Sequence, residues 1–482
     1  MIKIGFAPTK RDVFNHPEAY EVKKQIHAEA ASWLVDNVCL VDIDDITPSG
    51  LVETEDHALA VVEKFAREGV AGLFTPHCNF GSEGNTSIVA SKLRVPVLLW
   101  GPRDGDPSTQ TDFTYNTIGR TRDSQCGLFA TGKALRRVNV PFTYIPNTAL
   151  ESGVIKNGFQ AFVAVCAVVK AFRETKILQI STRPDPFWTV MYNEGELLER
   201  FGIRVAPITL VDLVDMIELM EKEHPDKVRD IAATIHKTTP PVDVTDESIL
   251  RMGAFFLAVQ ELCAKHHCNT AATSCWRAFR KATGISACAM NGYIGQEGGI
   301  PVACETDIHG AISSRMLQAA TMYTDPTFFA DVTIRHPTND NAELLWHCGN
   351  FPPCFAENPE NCSLQNSSMA GVPSPGKSFF NMREGDITVC RFDGDHGKYS
   401  VLMGQGKSIA GPKTVGSYCW FEVKDWVKWE EKLVNGPYVH HVAGTYGKLT
   451  PILHEACKYL GIDPDPVEPE EEWIREFWRG RA

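Results

Sequence analysis

The 482 residues carry 60 acidic against 47 basic side chains, a formal charge of -13, with 43% hydrophobic residues. That is the composition of a globular chain long enough for two or three cores, and its negative field disfavours nucleic acid as a partner. Fifteen cysteines, odd in number and without a Cys-x-x-Cys pair, argue against a disulfide framework or a zinc ribbon. Cys263-Ala-Lys-His-His-Cys268 stays open between a helix end with reduced thiols and a metal site. The opening Met1-Ile-Lys-Ile-Gly-Phe6 alternates like a strand and lacks the parts of a signal peptide, and the apolar run 159–169 is too short to span a bilayer. The expectation is a cytoplasmic protein with no membrane segment.

Taken in order, residues 2–6, 38–41, 72–75 and 96–100 read as strands and 18–35 and 54–68 as the helices between them. Such alternation predicts a parallel sheet covered on both faces, a first Rossmann-like domain over 1–175. The loop Ala7-Pro-Thr-Lys-Arg-Asp12 would open at the carboxyl edge of that sheet, where ligands of α/β sheets bind, and Arg11 is either a ligand clamp or a surface charge. No Gly-x-Gly-x-x-Gly follows the first strand and no P-loop is present, so no nucleotide is expected. Two further loops, around Asn79 and Trp100, mix hydrogen-bonding groups with an aromatic, although plain turns need the same residues. A helix at 158–173 precedes a restart of the βαβ rhythm at 177–180, with a helix at 193–200 stopped by Gly202, a strand at 205–210, a helix at 246–265 and a strand at 269–274. This second parallel-sheet domain is assigned 176–350. Beyond it, short β-rich runs at 386–392, 398–404 and 416–423 predict a C-terminal antiparallel β-barrel domain over 351–482, closed by a helix at 449–460 and a solvated acidic tail at 468–472.

The chemistry concentrates in Ile300-Pro-Val-Ala-Cys-Glu-Thr-Asp-Ile-His309, Phe328-Phe-Ala-Asp331 and Leu345-Trp-His-Cys-Gly349. Glu305 and Asp331 are expected at strand ends, pointing into a cleft. With His347 and one of His440 or His441 they offer oxygen and imidazole ligands and no thiolate. That set suits Mn2+ first, then Mg2+, Fe2+ or Co2+, better than a closed zinc site. The residues by themselves leave open a blander reading: a capping Asp331, hydrogen-bonded histidines and an ion-paired Glu305.

Cys304-Glu-Thr-Asp-Ile-His-Gly-Ala311, Phe329-Ala-Asp331, Trp346-His-Cys-Gly349 and Gly436-Pro-Tyr-Val-His-His441 resemble the L-fucose isomerase family and, more distantly, L-arabinose isomerase. The likeness runs from the Arg11 loop through Cys78-Asn-Phe-Gly-Ser-Glu83 and Arg122-Asp-Ser-Gln-Cys-Gly127 to the last helix. On that resemblance Glu305 and Asp331, 26 residues apart, take the places of the two carboxylate ligands. His347, a further 16 on, falls on a histidine ligand of the arabinose enzymes, and His441 is favoured over His440 because Gly447 follows it by six.

The resemblance implies an aldose–ketose isomerase working through a cis-enediol, with Glu305 and Asp331 exchanging protons across the C1–C2 bond. Asp307 and His309, on alternate residues if the strand continues past Glu305, would orient the ligands from behind, and are otherwise surface residues of the next turn. Arg11, Asn79, Trp100, Trp276 and His440 are the expected sugar contacts. The family likeness also implies a homo-oligomer, a hexamer in the relatives. In two respects the chain departs from the fucose enzymes: Thr273-Ser-Cys-Trp276 replaces a sugar-binding glutamine, and the chain is shorter. The implied substrate is therefore a pentose, a 6-deoxyhexose or a sulfonated sugar, the last needing a cationic pocket from among Arg11, Arg103, Arg120 and Arg122. Competing functions are a sugar-binding or regulatory protein of the same fold and a metal-dependent hydrolase or aldolase.

Overall fold

The computed structural model describes residues 1–11, 18–104, 111–112, 117–118, 122–367 and 373–482; Asp12 and Arg120 lie outside them. The chain divides into two compact units, residues 1–170 with 471–482, and residues 171–470.

The first unit is built on a parallel sheet in the order Val38–Val41, Ile2–Phe6, Gly72–Pro76, Val97–Trp100, Thr143–Tyr144. Gly72–Pro76 and Val97–Trp100 are buried along their whole length, as an apolar run covered on both faces must be. The helix Glu55–Glu68 starts where the Thr54 side chain accepts from His57 N and stops where Gly69 takes the left-handed conformation. Its Val61 and Phe65 face the core while charged residues face out. The helix Gly153–Arg173 is longer than the sequence reading made it. At 21 residues it passes a membrane-span test on length and composition, but 67% of its most apolar window is buried inside the protein and Phe159 packs on Phe74 and Trp33. It is a core helix.

The second unit holds two sheets. A parallel one runs Val302–Ala303, Thr270–Thr273, Lys176–Ile180, Arg204–Ile208. The helices Leu210–Glu223, Pro225–Thr238 and Asp246–His266 supply most of its apolar cover. The first of these opens on a capping box between Thr209 and Asp212. Cys263 and Cys268 sit at the end of the third, where the Cys268 thiol points to His266 O.

The larger sheet is mixed, where the sequence reading expected antiparallel pairing throughout. Its order is Pro241–Val242, Ser363–Ser367, Ser374–Asn381, Ser417–Glu422, Asn339–His347, Phe328–His336, His441–Tyr446, Gly385–Asp395, Lys398–Ile409, Asp463–Glu468, with parallel contacts near both ends. Lys398–Ile409 also pairs antiparallel with Ser417–Glu422. The strands Phe328–His336 and Asn339–His347 belong to this sheet, so it reaches back across residue 351, the expected start of the C-terminal domain. The stretch expected to be a solvated acidic tail is neither tail nor fully solvated. Glu468 ends the last strand, buried, and accepts hydrogen bonds from Lys424 N and Asp425 N, while Glu471 starts the helix Glu471–Trp478.

Candidate metal and proton-transfer site

The site lies inside the second unit. Glu305 does not sit at a strand end. Two residues beyond Val302–Ala303 the backbone turns over, and both Glu305 (φ 51°) and Thr306 (φ 56°) are left-handed, a conformation L side chains rarely adopt. The strand therefore does not continue through Asp307 and His309, as the alternate-residue reading required. Asp307 is instead the N-cap of the helix Ile308–Ala320, accepting from Gly310 N at 2.8 Å. Gly310 is needed for close approach: a Cβ there would lie 2.4 Å from the Phe329 ring.

Asp331 is also not at a strand end but inside Phe328–His336, directly opposite His441 on one side and Trp346 on the other. Sheet register thus carries three candidates: Asp331 in a central strand, His441 as the first residue of one neighbour and His347 as the last of the other. His441 Nε2 is 3.4 Å from Asp331 Oδ1 and 3.6 Å from Glu305 Oε2, and His347 Nε2 is 3.5 Å from the same Glu305 oxygen. These four atoms, Glu305 Oε2, Asp331 Oδ1, His347 Nε2 and His441 Nε2, are all buried and all without a hydrogen-bond partner. Buried polar groups left unpaired cost about 1–3 kcal/mol each. A convergent set of them is what a cation site looks like without its ion.

The two histidines differ. His441 Nδ1 is 2.8 Å from Asp307 Oδ2, so the ring donates its Nδ1 proton to that carboxylate and turns the Nε2 lone pair toward Glu305 and Asp331, as a metal ligand must. His347 Nδ1 instead accepts from Cys348 N at 2.9 Å, which leaves the proton of a neutral ring on Nε2, facing Glu305. Glu305, Asp331 and His441 fit a divalent cation as they stand. In this arrangement His347 turns an N–H rather than a lone pair toward Glu305, 3.5 Å away and without a formed hydrogen bond. Cys304 also approaches Glu305 and His347, so the surroundings are less purely hard than the sequence reading held, and His440 approaches Asp331 and His441 from the exposed side.

Behind His441 lies a buried charge relay that the sequence reading missed. Arg391 bonds Asp307 and Asp393, and Asp393 Oδ1 is 2.9 Å from His309 Nδ1. Asp307 and His309 are thus buried, Asp307 touching His441 and His309 lying behind it beyond Arg391 and Asp393. Arg391 and Asp393 alternate with apolar residues in Thr388-Val-Cys-Arg-Phe-Asp393, and that pattern of like-facing opposite charges within a strand was the available signal.

The two carboxyls are driven apart. Burial alone would raise Glu305, but His347 and His441 overcome it and hold it down at about 2. Asp331, raised mainly by burial, sits at about 6 even though the same histidines pull it down.

Of the other expected contacts, Trp276 is partly exposed, with its indole N–H 3.5 Å from Glu305 Oε1 and its ring against Phe187. Trp100 is wholly buried beside Phe74, a core side chain rather than a surface platform. Arg11 and Asn79 hold each other: Asn79 Oδ1 accepts from Arg11 N at 3.0 Å, and the Arg11 guanidinium bonds Gly81 O and Glu83. Arg122 pairs with Asp104 and also bonds Arg103 O.

A family model for the N-terminal domain of fucose/sulfoquinovose isomerase matches residues 5–173 and one for the C-terminal domain of L-fucose isomerase matches 345–466, together more than half of the chain. The chain is 23% identical over 472 residues to a sulfoquinovose isomerase of Priestia aryabhattai, covering 95% of this chain and 97% of that protein. It is 24% identical over 326 residues to one of Alkalicoccus urumqiensis, covering 67% and 69%. The class is that of the aldose–ketose isomerases. Within it, the chain belongs to the L-fucose isomerase-like family.

Proposed function

We propose that the chain is a divalent-metal-dependent aldose–ketose isomerase that works on an open-chain sugar through a cis-enediol, with Mn2+ as the first-choice ion. One observation carries the reading: the three buried, unpaired ligand atoms that converge from Glu305, Asp331 and His441, with the unpaired His347 Nε2 beside them. Glu305, Asp331 and His441 would hold the ion, which polarises neighbouring sugar oxygens and so acidifies the proton on the carbon beside the carbonyl. Glu305 and Asp331 would form the proton-transfer pair on either side of the C1–C2 bond, one removing the C2 proton of the aldose and the other returning one to C1. Transfer of the hydroxyl proton from O2 to O1 completes the ketose. Asp307 holds His441 in its ligating tautomer, and Trp276 offers a ring face at the exposed side of Glu305.

The ring of antiparallel pairings from Ser417–Glu422 through Asn339–His347, Phe328–His336, His441–Tyr446, Gly385–Asp395 and Lys398–Ile409 back to Ser417–Glu422 reads as the small barrel that carries three of these residues. A sulfonated hexose is the favoured substrate, by likeness to the named relatives. A cavity of about 660 Å3 lined by Arg183, Tyr192 and Thr306, the neighbour of Glu305, offers a cation for the sulfonate. A homo-oligomer in the cytoplasm completes the reading by family likeness.

The test is a panel of aldoses, sulfoquinovose, L-fucose and D-arabinose included, incubated in D2O with and without Mn2+. NMR should find the ketose, with deuterium at the carbon that gains the proton, only in the presence of metal. Ketose formed equally well after exhaustive chelation would sink the metal-assisted route, and metal-dependent cleavage would favour an aldolase.

A further inference from the structure

Four cysteines gather beside the site. Cys275 Sγ and Cys288 Sγ are 3.2 Å apart, and Cys288 also lies in hydrogen-bonding reach of Cys304 and Cys348. Cys275 follows the strand Thr270–Thr273 and precedes Trp276; Cys288 opens the helix Cys288–Glu297. Cys288 is fully buried and Cys275 only partly. Neither thiol has a part in the proton transfer, and their contact, in which either thiol can donate to the other, holds the two sulfurs within reaction distance.

We propose that Cys275 and Cys288 are a modification site: a hydroperoxide converts them to a reversible disulfide. Sulfurs in a disulfide stand about 2.05 Å apart, so closure asks for a movement of only about 1 Å. Cys275, the accessible partner, attacks the peroxide O–O bond. With hydrogen peroxide it becomes a sulfenic acid and one water leaves. The Cys288 sulfur then displaces the sulfenic hydroxyl, forming the S–S bond and releasing a second water. Both thiol protons end in water, each sulfur gives up one electron, and the peroxide is reduced by two.

The consequence for activity rests on the isomerase reading. Cys275 is bonded to Trp276, whose indole N–H faces Glu305 Oε1, so drawing Cys275 toward Cys288 moves Trp276 off the carboxylate. The expected loss of turnover is about ten-fold or more, the scale of an ångström's misplacement at a reacting group.

The experiment treats the Mn2+-loaded full chain with hydrogen peroxide, blocks free thiols and maps a non-reduced digest by mass spectrometry. The expected product is the Cys275 peptide joined to the Cys288 peptide, lighter by two hydrogens and separated by dithiothreitol, with turnover falling and recovering in step. Cys288→Ser should keep basal turnover, form no such link and accumulate a dimedone-reactive sulfenic acid at Cys275; Cys288→Ala replaces it if the serine variant does not fold. Linkage of Cys275 to Cys304 or Cys348 instead, or peroxide-treated protein with both thiols free, overturns the proposal. The mapping needs no turnover, so a mapped link in a chain that isomerises no sugar counts against the isomerase reading alone.

Discussion

Two clusters of polar residues, one in each unit, looked alike as sequence and differ as structure. Arg11 and Asn79 in the first unit spend their hydrogen bonds on each other and on Gly81 and Glu83, and the Arg11 guanidinium stacks on Phe80 at 4.2 Å. Glu305, Asp331, His347 and His441 in the second leave one atom each buried and unspent, and they do so toward a common point. Residue type cannot tell a loop clasp from a ligand set. What separates them is whether the polar atoms are already satisfied, because folding tolerates an unsatisfied buried group only where something else pairs with it.

The contrast can be broken or sharpened by substitution. The largest effect is expected from Glu305→Gln, which should cut kcat by about 10^3-fold, within the usual range for a lost general base. The variant should still fold, with a melting temperature no higher than the parent's, because the histidines that hold the Glu305 carboxyl down lose their charged partner; near-normal kcat would remove Glu305 from the chemistry. Next is Asp307→Asn, which releases the His441 tautomer and should weaken Mn2+ binding by about 10–100-fold in calorimetry, while leaving the ligands themselves in place. Unchanged affinity would mean that the carboxylate behind His441 serves the fold alone.

Smaller effects test the surroundings. Glu343, buried in the Asn339–His347 strand, is raised to about 7 mainly by burial, with Arg335 pulling it back and Glu430 adding to the rise. Its ordinary value is near 4.5, so the folded chain binds the extra proton between those values, and stability falls as pH rises through that window. Glu343→Gln should therefore gain in melting temperature over the parent as pH goes from about 5 to about 8, by the equivalent of about 1–2 kcal/mol after the lost Arg335 pairing is allowed for. An advantage that did not grow with pH would contradict the shift. The smallest change is expected from Arg11→Ala: roughly 1 kcal/mol of stability from a part-exposed pair and a cation–π contact, with Mn2+ affinity untouched. A ten-fold or larger loss of kcat/KM with normal metal binding would show that the Arg11 loop serves the sugar after all, and the contrast between the clusters would fail.

Much of the fold was legible because it rests on local patterns. The strands Ile2–Phe6 and Val38–Val41 and the helix Asp246–His266 follow from apolar periodicity and their caps. The sequence reading does not include the helices Leu210–Glu223 and Pro225–Thr238, although both are amphipathic and Pro225 opens the second. What sequence pattern could not carry was pairing at a distance. Asp331 reads as a strand end because Phe328-Phe-Ala looks like a complete short strand, whereas the strand runs on through half-buried and exposed residues, Thr333 and Ile334 among them, to His336 as half of a hairpin. The continuation of a strand past Glu305 failed for another reason: two left-handed residues other than glycine break it, a conformation no propensity would assign to Glu-Thr. The Arg391–Asp307 pair joins residues 84 apart, and only the fold brings them together.

The pairing of Asp331 with His441 also sets an order of events. Glu305, Asp331 and His347 are all synthesised well before the strand His441–Tyr446, which must slot in beside Phe328–His336 to deliver the last imidazole. On the proposed metal reading, a nascent chain would therefore hold its cation weakly until that late strand had left the ribosome. On the same reading, a product cut short before His441 would lack that imidazole however well its first unit folded, and metal capture would report that synthesis has passed the strand.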